Sequence, residues 1–549
     1  MRDAMGGYDF DWLVIGSGFG GSVSALRLRE KGYSVGVLEC GRRFADHEMP
    51  TSTADHRRYS WNPFLGMKGI FRLTIFKDVA VVSGCGVGGG SLGYANTLYV
   101  PPRAFFEDPQ WGEMEDWEAA LAPHYAEAQR MLGVVENPHE DPADQLLREL
   151  GEELGVGESY KRTPVGVFFG EPGRTVPDPF FGGEGPERTG CQLCGRCMVG
   201  CPHGAKNTLV KNYLYLAEKR GARVMEQRTV VDVRPLGDGG GEAGYEVESV
   251  RSGAWLARDR RVHRARGVVV AAGPLGTNRL LQRCRLKGSL GLLSPRLGEL
   301  VRTNSESILT VTVPEDYPED LVKRVAITSS IYPDANTHIE TVTYGEAGDS
   351  MHRFYTLLVG DGTRLTRPLK LLSQIALHPR RLARALFPKR WSRRTIILLV
   401  MQTLDNAMAL RPRKWPFGVV TLTTEQDPER PNPTFIPVAN RAAEWFAERT
   451  GGMAQSSVME ALFNIPTTAH ILGGAVIGAD REHGVVDASQ RVFGYENLLV
   501  CDGSAIPANV GVNPSLTITA LAEHAMSQVP PADGSASSQA DDRQPLAAA

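Results

Sequence analysis

The sequence has no run of about 18 apolar residues, the length a membrane-crossing helix needs. Its opening, MRDAMGGYDFDW, has no basic stretch followed by an apolar core, so no secretory leader is expected. No charge of either sign dominates. The formal net charge of −3 excludes a nucleic-acid binder that works by overall charge. No internal repeat is visible, which argues against a solenoid. Cysteine is scarce, with eight in 549 residues, and four of them fall between Cys191 and Cys201. A secreted disulfide scaffold would be shorter and its cysteines more evenly spread. The clustering points to metal binding in a reducing compartment, so a cytoplasmic location is expected.

What is present begins with a nucleotide-binding pattern. Phe10–Ile15 is an apolar strand, and Gly16, Gly18, Phe19, Gly20 and Gly21 make a glycine turn opening a helix over Ser22–Lys31. A second strand, Tyr33–Leu38, ends at Glu39. In such a β-turn-α-β unit the first glycine makes the tight turn and the second lets backbone approach a pyrophosphate. The third lets helix and strand pack closely, and the acid binds ribose hydroxyls. Helix N-terminal N–H groups then face the phosphates. This pattern alone does not separate FAD from NAD.

Four later stretches narrow the choice. They are GCGVGGGSL (Gly84–Leu92), VVVAAGPLGT (Val268–Thr277), TAHILGG (Thr468–Gly474) and LVCDGSAIP (Leu499–Pro507), the last followed by Gly511, Val512, Asn513 and Pro514. Together with the first motif, and in this order, they resemble the glucose–methanol–choline (GMC) flavoprotein oxidoreductases, in particular the branch with bacterial cholesterol oxidases. Matching segments run from about residue 8 to residue 526.

The resemblance implies an α/β fold of two bodies. A Rossmann-like FAD-binding body would take 8–100, 186–300 and 465–528, and a sheet-containing substrate cap would take 101–185 and 301–464. The tail 529–549 is expected to be disordered. FAD would be held by Gly16, Gly18, Phe19, Gly20, Gly21, Glu39, Gly86, Gly88, Gly89, Gly90, Ser91, Val231, Gly273, Asp502, Gly503, Asn513 and Pro514. The resemblance places His470 as the catalytic histidine and Asn513 as the second catalytic residue. That chemistry is reasonable in itself, because removing hydride from an alcohol leaves a proton that an imidazole can accept near neutral pH.

Departures are visible. Ile471 stands where the family usually has proline, and Gly93-Tyr94 where cholesterol oxidases tend to carry Val-Asn. The sterol-isomerising step in that branch uses a glutamate on a cap strand. The stretch Arg393–Ile397 offers arginines instead, which speaks against isomerisation.

Cys191, Cys194, Cys197 and Cys201, followed by Pro202, have the Cys-x2-Cys-x2-Cys-x3-Cys-Pro spacing of ferredoxins. A 4Fe-4S cluster there would pass electrons from reduced flavin to an acceptor protein, making the enzyme a dehydrogenase. Four thiolates also suit structural zinc, and an unmetallated thiol cluster stays open. His203 and Lys206 beside the cysteines read as solvated. The leading expectation is an FAD-dependent enzyme oxidising a hydrophobic, sterol-like secondary alcohol. The alternatives are an oxidase that reduces oxygen, and a flavin/iron–sulfur carrier that oxidises no alcohol.

Finally, Arg364–Arg394 holds ten Lys and Arg and no acid, interleaved with leucines. A basic amphipathic segment of this kind suits a peripheral membrane contact, an acidic partner or a solvated face. The apolar Phe64–Phe76 stretch reads as core or as a lid over the substrate entrance.

Overall fold

The computed structural model describes residues 7–237, 239–254, 258–415 and 420–532. Most of the tail, from 533 on, lies outside the described residues. Its first part packs on the opening unit, where Tyr33 donates through its hydroxyl to Pro530 O at 3.0 Å.

Two seven-stranded sheets organise the chain. In the first, the apolar strands Phe10–Ile15 and Val35–Leu38 pair in parallel. Arg261–Val270 adds in parallel beside Phe10–Ile15, and Leu498–Val500 pairs with it in turn. Arg223–Met225 lies at one edge and the antiparallel pair Tyr245–Arg251 and Arg228–Pro235 at the other. Valine- and leucine-rich strands buried on both faces explain the continuous apolar runs. The first helix starts at Phe19, with Gly18 as its extended N-cap. The apolar stretch over Arg223–Val233 forms two strands, broken where Gln227 takes φ +55°.

The second sheet is antiparallel and forms the cap. Its order is Tyr355–Leu357, Met453–Ser457, Ser307–Thr312, Thr395–Gln402, Thr337–Val342, Ile327–Asp334 and Lys161–Arg162. Strand alternation sorts its side chains. Leu309, Ile331, Ile339, Leu398 and Val400 pack against helices Pro142–Glu153 and Pro437–Thr450. The other face carries Ile397, Leu399 and Met401, with Ala95 and Met198 packed against them. Residues 101–185 divide between the two bodies. Helix Trp117–Leu132 packs into the core of the first sheet, and helix Pro142–Glu153 into that of the cap.

A small three-stranded sheet joins the ends of the chain. Phe71–Ile75 and Ala80–Gly84 form a hairpin, and Thr467–Thr468 pairs with the second strand. Within the Phe64–Phe76 stretch, Phe64, Leu65, Leu73 and Ile75 are exposed, so those side chains are not core. No helix among the described residues is long and apolar enough to cross a membrane.

Arg324 is a buried tie within the cap. Its guanidinium donates to Asp141, the N-cap of helix Pro142–Glu153, at 3.0 Å and to Thr341 O at 3.0 Å. Replacing Arg324 with Met would leave buried carboxylates without a counter-charge. The expected loss is about 3–5 kcal/mol, read as a lower urea midpoint with an unchanged slope.

Candidate active site

The glycine turns meet by backbone contact. A β-carbon on Gly20 would lie 1.7 Å from Cys501 O, so no other residue fits. Gly18 is the opposite case, because no heavy atom lies within 4 Å of its β-carbon position. Gly89 (φ +55°) stacks on it, with its own β-carbon position 2.5 Å from Gly18 Cα. Ser17 stitches the two loops together. Its hydroxyl accepts from Gly88 N at 3.1 Å and donates to Glu39 Oε2 at 2.7 Å. Glu39 is buried at the end of Val35–Leu38 and also accepts from Ser17 N and Gly41 N. The Phe19 ring meets Tyr94 edge-on at 5.5 Å. Ser91 donates to Gly88 O and accepts from Leu209 N, while Gly86 and Gly90 complete the same turn.

Asp502 closes the third side. Its carboxylate accepts from Gly273 N at 2.9 Å, from the Thr277 hydroxyl at 2.6 Å and from Ser504 N at 2.8 Å, next to Gly503. Val231 sits at a register shift in Arg228–Pro235 and has no partner in the opposite strand, a bulge that leaves backbone to meet a ligand. Asn513 and Pro514 lead directly into helix Ser515–Ser527.

His470 follows the small sheet and is held by an acid that sequence reading missed. Its Nδ1 lies 2.5 Å from Glu306 Oε1, and Glu306 Oε2 accepts from Ala469 N at 2.9 Å. Nδ1–H donating to the carboxylate leaves Nε2 as the proton acceptor. Glu306 is set by a tight loop. Asn304 (φ +60°) and Ser305 (φ +46°) are both left-handed, a strain of about 1–3 kcal/mol each. Hydrogen bonds to the segment that carries Asn513 hold the loop: Asn304 N to Asn509 Oδ1 (2.8 Å), Asn304 Nδ2 to Val512 O (2.9 Å) and Gly511 N to Asn304 Oδ1 (2.7 Å).

A second missed acid, Glu340, projects from the cap strand Thr337–Val342. Asn513 Nδ2 donates to its Oε2 at 3.4 Å. Burial pushes the Glu340 carboxyl up to about 8, opposed by the Asn513 amide and reinforced by the nearby Glu306 charge. The cap therefore does carry a glutamate, although not in Arg393–Ile397. Beside it on the same strand face, His338 is stacked on Tyr332 at 4.4 Å, and burial lowers it to about 3. Asn513 Oδ1, Glu340 Oε1 and both His338 ring nitrogens are buried without a protein partner. These orphaned atoms and the open space at Gly18 fit a polar cofactor and a hydroxylated substrate.

Cys191, Cys194, Cys197 and Cys201 line one small cavity together with Lys206 and Arg324. Burial raises Cys191 to about 12 and Cys197 to about 11, so without a metal both are thiols. Lys206 is not solvated as expected. It is 2% exposed and donates to Leu92 O (2.9 Å), Tyr94 O (2.9 Å) and Cys197 O (2.8 Å). Burial lowers its ammonium to about 8. His203 is half-buried at the cavity's edge. Among the described residues, the only set of three or more His, Cys, Asp or Glu with ligand atoms within 4.8 Å of one another is Glu39, Cys40 and Cys85. No three of the loop sulfurs are that close, whereas a thiolate tetrahedron about zinc needs sulfurs about 3.8 Å apart.

Profiles of the GMC oxidoreductase family match residues 186–298 and 396–522. The chain is 52% identical over 532 residues to a cholesterol oxidase of Mycobacterium tuberculosis, covering 95% of this chain and 91% of that protein. It is 47% identical to a cholesterol oxidase of Acinetobacter baumannii, covering 95% of each. Pyridoxine 4-oxidase from Mesorbium loti shares the fold at a TM-score of 0.59 and 16% identity, covering 95% of this chain and 99% of that one. The chain belongs to the GMC oxidoreductase family. With that membership comes the two-body fold, FAD as cofactor and CH–OH groups as donors.

Two outcomes follow from this geometry. Gly20→Ala should lower the melting temperature, at a cost near the upper end of overpacking, about 3 kcal/mol. Gly18→Ala should melt like the wild-type apoprotein yet retain less flavin, read as the 450 to 280 nm absorbance ratio. Glu340 gives a pH signature. Its native carboxyl keeps a proton that the unfolded chain releases near 4.5. Its contribution is fully present below about 4.5 and is lost as pH rises through about 8. Glu340→Gln should therefore lose less stability than wild type between those pH values, measured by thermal melts. Parallel slopes would contradict this.

Proposed function

We propose that the protein oxidises the secondary hydroxyl of a sterol-like alcohol to a ketone. FAD, when bound, supplies the hydride acceptor. His470 Nε2 takes the hydroxyl proton, and Glu306 fixes the imidazole and balances the positive charge that develops on it. Asn513 orients the hydroxyl, with its amide set by Glu340. The observation that carries this reading is the Glu306–His470 pair tied by hydrogen bonds to the Asn513 segment. The substrate class is supported by the two cholesterol oxidase relatives. Glu340, raised to about 8, also has the basicity, once ionised, to take the proton alpha to the new ketone and return it further along the sterol in a double-bond shift.

The four loop cysteines would hold a 4Fe-4S cluster, which supplies one-electron carriage to an acceptor protein. Their shared cavity supports this, as does Lys206, which joins it to the glycine loop. A cytoplasmic setting keeps such thiols reduced. The relatives' name favours a second reading, in which oxygen takes the electrons and the cysteine loop is structural.

The test uses protein purified under nitrogen, with iron and sulfide counted and a 3β-hydroxysterol added anaerobically. About four irons per chain and bleaching of the flavin are expected. His470→Ala should slow bleaching by about 10²–10⁴-fold. Iron-free protein that makes peroxide in air would establish the second reading. Unchanged bleaching by His470→Ala would overturn the assigned base.

A further inference from the structure

The basic segment forms two helices, Thr366–Leu377 and Pro379–Leu386, and the first is turned inside out. Leu365, Leu369, Leu372 and Ala376 recur with helical spacing on one stripe, and all are exposed. The opposite stripe buries Arg367 and Leu371. Leu371 packs with Leu357, Val359 and Ala461, so the helix is seated on the protein and presents its leucines outward. Leu377 and Phe387 are exposed as well, at 70% and 81%.

Buried polar anchors fix this helix to the elements that carry His470. Arg367 pairs with Glu460 at 3.6 Å and donates to Asn464 Oδ1 at 3.1 Å. Those partners belong to the segment that runs through Thr467–Thr468 into His470. Arg364 donates to Asp78 Oδ1 at 2.9 Å and to Lys77 O at 2.7 Å, at the turn of the Phe71–Gly84 hairpin. Around these anchors Leu73, Ile75, Leu462 and Phe463 are exposed too.

Charge brackets the apolar stripe. The acids facing this segment are engaged: Glu315 and Glu346 pair with Lys389 and Arg393, Asp78 and Glu460 with Arg364 and Arg367, and Asp349 accepts from Ser392. Arg380, Arg381, Arg384 and Arg390 are exposed, and their guanidinium groups make no hydrogen bond or ion pair with another described residue. We propose that this helix pair, with the Phe71–Gly84 hairpin and Phe463, docks on the surface of an anionic phospholipid bilayer. Exposed leucines ringed by arginines match an interfacial helix, whose apolar face enters the acyl boundary while its cations meet the headgroups. A soluble acidic partner would account for the arginines and leave the leucine stripe uncovered. The proposal rests on the reading of the substrate as a lipid alcohol, since such a dock would bring the site to where that alcohol resides.

The test is co-sedimentation of the full-length holoenzyme with sterol-free vesicles, so that it does not depend on the substrate assignment. Vesicles of phosphatidylcholine alone are compared with vesicles containing roughly a third phosphatidylglycerol. Binding to the anionic vesicles alone, weakened by salt, is expected. Arg380→Glu, Arg381→Glu and Arg384→Glu together should reduce affinity by at least roughly a hundred-fold. Leu369→Ser, Leu372→Ser and Phe387→Ser together should abolish the binding that survives high salt. Both triple variants should keep wild-type flavin content and wild-type turnover of an alcohol presented in micelles. Absence of binding, charge-reversed protein that binds like wild type, or capture by an acidic electron carrier without vesicles would each overturn the proposal.

Discussion

A carbonyl of the last strand, Cys501 O, occupies the place where a side chain at residue 20 would begin. That backbone-on-backbone contact joins residues nearly five hundred apart, and the rest of the site is built outward from it. Because Gly20 closes on Cys501, Asp502 can reach across to Gly273 and Thr277. The second glycine loop then settles against Gly18. Three chain segments thus share one wall without interposed side chains, which leaves a smooth path for a long, flat cofactor. The segment that delivers Asn513 begins immediately after this junction.

The two buried acids divide the polar work by environment. Glu306 meets an imidazole and one backbone N–H, that of Ala469, which suits an acceptor that steadies a ring gaining a proton. Glu340 meets only a primary amide and apolar surroundings, which suits a protonated carboxyl. Each acid partners one of the two residues expected to act on the alcohol. The left-handed pair Asn304–Ser305 concentrates strain next to one of them, as is common where geometry serves chemistry.

Much of the fold was legible because glycine motifs and apolar periodicity are local signals. Helix Trp117–Leu132 can be read from its regular apolar spacing, and Gly133 ends it in the left-handed conformation. Strand Thr395–Gln402 can likewise be read from its unbroken apolar run. Glu306 and Glu340 were not legible as site residues. Each lies more than 160 positions from its partner, and a lone acid, in a loop like Glu306 or an apolar strand like Glu340, carries no spacing signal. Lys206 was misread for a similar reason. A lysine in a loop is ordinarily solvated, and nothing local reveals that three carbonyls from distant turns converge on it. The outward leucine stripe was visible as amphipathicity, but only the buried Arg367 shows which side faces water.

The shared ammonium of Lys206 has a mechanical consequence. One cation answers to Leu92 and Tyr94 on the glycine loop and to Cys197 on the cysteine loop. Neither loop can drift without stranding a desolvated charge. The glycine loop and the cysteine loop are therefore clamped at one separation by a single buried side chain.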